Sequence, residues 1–434
     1  MSLPASVGDA ARAAMTSVDP RGHGPEGSPA VVALPSSVDD WLASFPRRGA
    51  LGDLLAPAPE EQLRRGYGHT LREIAQQPVT WTVTADSMRG LQPLIEDSLK
   101  DASAVVVTGS GSSLYAAECV APGLQRALGL PVSAVPAGLI LTHADTCLPP
   151  KGSFLVVSLA RSGNSPESRA VVDSLLEDRP HVRHLSITCN PGGALATSYR
   201  NRPEVRTIVL DERTHDRSLV MTSSFTNLVL AGRALGGTIP ALQQRARGLA
   251  STAAGFLRDR APDLAGAARV LGSAVYLGSG CRVGSAHEAA LKMTEMNAGE
   301  VWSYAESYLG LRHGPMSALR PDTLVVAFLS SDPLVRAYEL DLLGELDRKS
   351  LGGGRVVVGA EVPAAVTAGK DTVVLDCGSR DSFADEDLTL LDALVGQLLA
   401  FFRCLEAGYR PDSPSVDNVI TRVVSGFEIH RRNG

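Results

Sequence analysis

Glu288, Lys292 and Glu295 stand four and three residues apart in AHEAALKMTEMNAG, so a helix through them would set one cation and two carboxylates near a single face. A carboxylate beside an ammonium is held ionised and can take a proton from carbon. The same spacing also makes an ordinary solvated ion pair. His313, in LRHGP, is either an imidazole placed to accept and donate a proton near neutral pH or a loop residue packing its ring. Three further stretches are rich in short hydroxyls: TGSGSS at 108–113, LARSGNSPES at 159–168 and SLVMTSSFTN at 218–227. Ser110, Ser112, Ser113, Ser162 and Ser165 offer hydroxyl donors, while Gly109, Gly111 and Gly163 let the backbone come close and add N–H groups. Each stretch could simply cap a helix. Three together, with Thr222, Ser223 and Ser224 opening the last, favour an anion such as a phosphate at converging helix starts.

The elements that must position these groups are legible as texture. Short Val/Ile/Leu runs (SAVVVTGS, SFLVVSLA, HLSITCN, TIVLDE) alternate with amphipathic segments such as SLYAAECVAPGLQRAL and PESRAVVDSLLEDRP. Strands apolar on both faces, alternating with helices, imply a parallel sheet covered on each side. The second half repeats the pattern in AVYLGSGC, TLVVAFLSSDP, GRVVVGA and DTVVLDC, which makes LGSGC at 277–281 the counterpart of TGSGSS. In such sheets ligands bind beyond the carboxyl ends of the strands, where both Gly/Ser loops fall. The expected organisation is a tail over 1–40, rich in Pro, Gly, Ala and Ser, a helical segment over 41–98, one α/β domain over 99–255 and a second over 256–434 that ends in a long apolar helix and a polar tail.

Composition narrows the function classes. The chain has 434 residues, 44% of them apolar, and a formal charge of −6 spread without basic runs, so it lacks the footprint of a nucleic-acid or anionic-membrane binder. No basic flank precedes an apolar stretch at the N-terminus and no unbroken apolar run reaches a membrane span, which predicts a cytoplasmic protein. The six cysteines are scattered without a C-x-x-C pair, as expected for buried free thiols. The glycine pattern is neither a dinucleotide fingerprint nor a Walker loop. The histidines are dispersed, with His181 and His184 in an HVRH segment expected to be a solvent-facing loop, so neither a metal nor a cofactor is expected. Tyr308 and Trp302 read as packing residues.

SLARSGNSPES at 158–168, MTSSFTN at 221–227 and above all ESYLGLRHGP at 306–315 resemble the sugar isomerase (SIS) domain family. Within it they look like the tagatose-6-phosphate ketose/aldose isomerase branch, some members of which act as galactosamine-6-phosphate deaminase/isomerases. The similarity runs from GYGHTLREIAQQPVTW at 66–81 to the final SVDNVITRVVSGFEI. It implies an α/β fold of two tandem SIS domains, each a five-stranded parallel sheet between helices in a flavodoxin-like three-layer sandwich. It also implies a homodimer or higher oligomer with a shared active site, and a hexosamine or ketohexose phosphate as ligand. Residue by residue, Glu295 matches the family's catalytic glutamate, Lys292 its neighbouring lysine, and His313 the ring-opening histidine generally given across a subunit interface. Ser113, Ser162 and Ser165 match phosphate-binding hydroxyls, Thr222 the polar position opening the third helix, and Gly163 and Arg161 adjoin them. The resemblance thus implies deamination of galactosamine-6-phosphate or a related aldose–ketose isomerisation, with glucosamine-6-phosphate deamination and a non-catalytic phosphosugar sensor as alternatives. Retention of Glu295 and His313 favours an enzyme, since binding phosphate needs neither. Two departures stand out: Ala160 replaces a serine of the glucosamine-6-phosphate synthase branch, and the tail reads TRVVSGF without that branch's lysine. No cysteine in the first hundred residues matches a synthase glutaminase domain.

Overall fold

The computed structural model describes residues 34–430 apart from 36, 270, 271, 368–370, 425 and 427. Six lead-in helices come first: α1 (Val38–Ala43), α2 (Ala50–Leu55), α3 (Pro59–Arg65), α4 (Gly68–Ala75), α5 (Gln77–Ser87) and α6 (Gln92–Leu99). Of the tail expected over 1–40, residues 1–33 and 36 lie outside the described residues, and 38–40 already belong to α1. The physical reason is local: Ser37 caps the helix through Asp39 and Asp40, and Trp41 is fully buried with its indole N–H on the Ala75 carbonyl at 2.7 Å.

The first sheet contains β1 (Ala104–Gly109), β2 (Val132–Pro136), β3 (Phe154–Ala160), β4 (Arg183–Thr188) and β5 (Val205–Val209), all parallel in the order β2-β1-β3-β4-β5. Its helices are α7 (Ser112–Leu128), α8 (Ala137–Cys147), α9 (Pro166–Asp178), α10 (Ala194–Thr197) and α11 (Ser223–Arg233). Then α12 (Ile239–Gly255) runs through a π-turn at Phe256–Arg260 into α13 (Ala261–Arg269), so a continuous helical stretch crosses the expected domain boundary at 255/256. The second sheet contains β6 (Ser273–Gly278), β7 (Trp302–Ser307), β8 (Thr323–Phe328), β9 (Gly354–Gly359) and β10 (Asp371–Asp376), with α14 (Arg282–Met296), α15 (Tyr308–Leu311), α16 (Pro333–Arg348), α17 (Ala364–Thr367) and α18 (Asp385–Glu406). Its order, β10-β9-β8-β6-β7, is the first sheet's order read from the other edge. The repeat extends to the turns: a Cβ on Gly109 would lie 2.6 Å from the Ser113 backbone and one on Gly278 2.5 Å from the Arg282 carbonyl oxygen, and Gly111 and Gly280 take φ of +55° and +57°.

α18 is long and apolar enough to cross a membrane, yet nearly all of it is buried against α14, α13 and α12. It is the core helix that joins both sheets into one apolar cluster. HVRH differs from expectation. Only His181 is exposed; His184 sits inside β4 between β3 and β5, fully buried, and burial pushes its pKa down to about 4, so the ring is neutral. Tyr308 packs in the core as expected, whereas Trp302 on the edge strand β7 is 47% exposed and stacks on Tyr304.

Candidate active site

Lys292 is the hub of the site. It lies on α14 where that helix packs against α7 and is fully buried, as is Glu288, while Glu295 keeps about a fifth of its side chain open. The ammonium pairs with Glu295, lies 3.4 Å from Glu288 and donates to the Ser112 hydroxyl at 3.1 Å. Ser112 opens α7 at the end of β1, so one hydrogen bond ties the charged cluster to the first Gly/Ser loop. Burial works against the charge on Lys292, but Glu288 and Glu295 outweigh it and the ammonium's pKa is raised. Glu288 moves the opposite way for a carboxylate: burial, reinforced by Glu295 and opposed by Lys292, raises its pKa to about 8, so at neutral pH it is mainly the neutral acid. The partly open member of the cluster is Glu295.

The second Gly/Ser loop leaves β3 and starts α9. Ser165 caps that helix through the Ser168 N–H and shares a 2.7 Å hydrogen bond with the Ser168 hydroxyl; Ser162 accepts from the Asn164 N–H at 3.2 Å, and Gly163 takes φ +63°. Ser113 donates to the Met221 sulfur at 3.9 Å, which brings the first loop against the third. Two of the expected phosphate ligands do not face open space. Arg161 is buried and its guanidinium donates to the carbonyls of Ser218 and Leu219 at 3.3 and 2.9 Å and to that of Arg422. Thr222 is fully buried, and the start of α11 is satisfied from within: one Asp216 oxygen accepts from the Thr222 and Ser224 N–H groups at 2.8 and 2.9 Å and from the Ser224 hydroxyl. An internal carboxylate thus fills the role expected of the ligand at the third helix. His313 is exposed on the loop after β7 and α15, with no side-chain hydrogen bond or ion pair among the described residues.

Ser112 and Glu288 are visible in the sequence, one among the hydroxyl donors of the first loop and one a turn before Lys292, but no separate role is expected of either there. Glu73 and Asp216 carried no signal. Glu73, on α4, accepts from the Arg217 and Ser218 N–H groups and the Ser218 hydroxyl, holding the segment that Arg161 grips from the other side. Burial first, then the nearby Asp216, raises its pKa to about 8. A carboxyl raised in the folded state stabilises fully below its unfolded pKa, near 4, and loses that contribution as pH climbs through 8. The unfolding free energy from urea titrations should therefore fall between pH 5.5 and 8.5 by an amount on the order of a few kcal/mol shared with Glu288, and Glu73→Gln should flatten part of the slope. An unchanged slope in that variant would contradict the assignment.

In the second half the loop that corresponds to the second Gly/Ser loop is closed by the chain itself. There the Ser330 hydroxyl and Ser331 N–H donate to Asp385 at 2.5 and 2.7 Å, the Ser330 N–H donates to Glu339 at 2.7 Å, and Arg282 ties the Leu329 and Val358 carbonyls. Carboxylates of the chain itself occupy the place where the first half presents Ser162–Ser165.

No family model matches the chain. AgaS of Streptomyces coelicolor is 37% identical over 384 residues, covering 84% of this chain and 96% of that protein. The D-galactosamine-6-phosphate deaminase AgaS of Escherichia coli O157:H7 is 34% identical over 371 residues, 83% of this chain and 95% of that one. Among solved structures, the tagatose-6-phosphate ketose/aldose isomerase from Escherichia coli superposes with a TM-score of 0.77 at 31% identity, covering 84% of this chain and 97% of that one. With relatives of this identity matched along almost their whole length, two like-ordered parallel sheets and the Glu295–Lys292 pair beside the Gly/Ser loops, the chain belongs to the AgaS family of SIS-fold sugar-phosphate deaminases and isomerases.

Proposed function

We propose that the chain converts galactosamine-6-phosphate and water to tagatose-6-phosphate and ammonia. Ser113, Ser162, Gly163 and Ser165 would hold the phosphate, with Arg161 and Thr222 shaping the loops around it. The observation that carries this reading is the Lys292 ammonium bonded at once to Glu295 and to Ser112, which sets a proton-transfer carboxylate beside a phosphate-type loop. In the open-chain sugar, Glu295 removes the C2 proton and the electron pair forms an enolamine as the C1 carbonyl takes a proton. Return of a proton to C1 gives the C2 imine, water adds to C2, and the C–N bond breaks to leave ammonia and the C2 ketone. Without the amine, the same proton transfer interconverts aldose and ketose. The test is ammonia release from galactosamine-6-phosphate and from glucosamine-6-phosphate, run beside tagatose-6-phosphate isomerisation. Release from the galacto epimer supports the reading; release from the gluco epimer alone moves the substrate, and phosphosugar binding without turnover of any of them would make the chain a sensor.

His313 would open the sugar ring from a neighbouring subunit, since it is exposed on an edge-strand loop with no side-chain partner among the described residues. Co-refolding Glu295→Gln with His313→Asn, each inactive alone, should then restore about a quarter of the activity in a randomly mixed dimer, because half the molecules are hybrids with one intact site of two. No recovery from a well-mixed dimer would mean that each subunit uses its own histidine. The six unpaired cysteines, five of them buried, support placement in the reducing cytoplasm.

A further inference from the structure

A cavity of about 750 Å³ lies between α4, the 212–217 segment and the C-terminal tail, on the far side of Glu73 from the grip of Arg161. Four arginines line it: Arg72, Arg213, Arg217 and Arg422. Two have carboxylate partners, Arg72 on Asp39 at 2.6 Å and Arg213 forked onto Asp211 at 2.6 and 2.8 Å. The other two do not. Among the described residues Arg422 donates only to the Asp216 carbonyl, and the exposed Arg217 side chain has no hydrogen bond or ion pair. The carboxylates in the lining are Glu212, which is exposed, and Glu73, which is turned onto the 217–218 backbone and neutral at pH 7; His69 and His215 complete the titratable groups. His215 reports the resulting field: burial first, then Arg422, Arg161 and Arg217, push its pKa down to about 4, and its Nε2 is buried with no hydrogen-bond partner.

We propose that this cavity is a second anion site, taking a small phosphate ester on Arg217, Arg422 and His215. Guanidinium forks match phosphate oxygens in pairs, and a cavity of this size accommodates a molecule as large as a phosphorylated sugar. The site is wired to the catalytic loops. The Arg422 guanidinium holds the Asp216 carbonyl, its own carbonyl takes a hydrogen bond from Arg161, and Asp216 caps α11, so an anion that pulls on Arg422 pulls on the segment between the two phosphate-type loops. Occupancy should therefore change the KM for the phosphosugar without blocking it.

Calorimetry with pyrophosphate on the whole protein tests this. Two classes of site per chain are expected. Arg217→Glu should weaken one of them by about tenfold or more and leave turnover without pyrophosphate at the wild-type level. Arg217→Gln, which removes the charge without reversing it, should weaken the same class. Ser162→Ala should weaken only the other class, and that arm alone rests on the cradle reading above: if that reading fails, Ser162→Ala changes nothing while the Arg217 result stands. A single class of site insensitive to both Arg217 variants, or pyrophosphate acting purely in competition with the phosphosugar, would overturn the proposal.

Discussion

Glu295→Gln should lower ammonia release by about 10²–10⁴-fold while moving KM little. The amide keeps the volume of the carboxylate and still offers Lys292 an oxygen, and Lys292 retains Glu288 at 3.4 Å and the Ser112 hydroxyl at 3.1 Å. What disappears is a group that can accept a proton from carbon and return it one carbon away. A loss confined to kcat is the mark of an interaction made only in the transition state. Thermal unfolding of the variant should stay within a few degrees of wild type, since Glu295 is the partly open member of the cluster. Turnover within about tenfold of wild type would remove Glu295 from the proton transfer and leave Glu288 as the candidate, a poor one because it is fully buried behind Lys292.

The sequence made the interior of this fold readable and its periphery less so. β1, β3, β6, β8 and β9 are buried nearly end to end and stand out as apolar runs. β2 and β7 did not stand out: each is hydrogen-bonded on one side, each is half-exposed, and VSAVP and WSYAES mix polar with apolar residues accordingly. Five strands per sheet was therefore legible through the family resemblance and not through texture. The charged face of α14 was legible for the opposite reason, because Glu288, Lys292 and Glu295 interact within one helix where spacing fixes geometry. Asp216 at the start of α11, Glu73 under the 217–218 backbone and Asp385 at Ser330 and Ser331 are contacts made at or across the fold, the last two spanning 144 and 54 or more residues, and no local pattern announces them. The same blindness explains Arg161 and Thr222. Their residue types suit a phosphate, and only the tertiary structure reveals that backbone carbonyls have taken the Arg161 guanidinium and that Thr222 is fully buried, with its backbone N–H on Asp216.

Arg282→Met should destabilise the chain by about 3–5 kcal/mol, the range for breaking a buried ion pair on one side. Arg282 is fully buried in the first turn of α14; its Nε and Nη2 fork onto Asp392 of α18 at 2.8 and 2.5 Å, and its remaining N–H groups reach the Leu329 and Val358 carbonyls at the ends of β8 and β9. Methionine fills much of the space but satisfies neither carbonyl and leaves Asp392 with Ser285 alone, at 3.1 Å. Burial already raises Asp392 to about 6 against the pull of Arg282, so without the guanidinium it should fold only as the neutral acid. A carboxyl with a raised folded pKa stabilises below its unfolded pKa near 4 and loses that as pH rises, so the variant's deficit should grow from pH 5 to pH 8. Adding Asp392→Leu should recover most of the loss, because the pair then gives way to packed apolar groups. Lys292 and Glu295 lie on the same helix, yet ten and thirteen residues further along, so the folded fraction of Arg282→Met should keep a near-normal kcat while total activity follows the fraction folded. A variant within about 1 kcal/mol of wild type at pH 8 would mean that the pair's attraction had barely repaid its own desolvation, and that α14 is held against α18 by apolar packing alone.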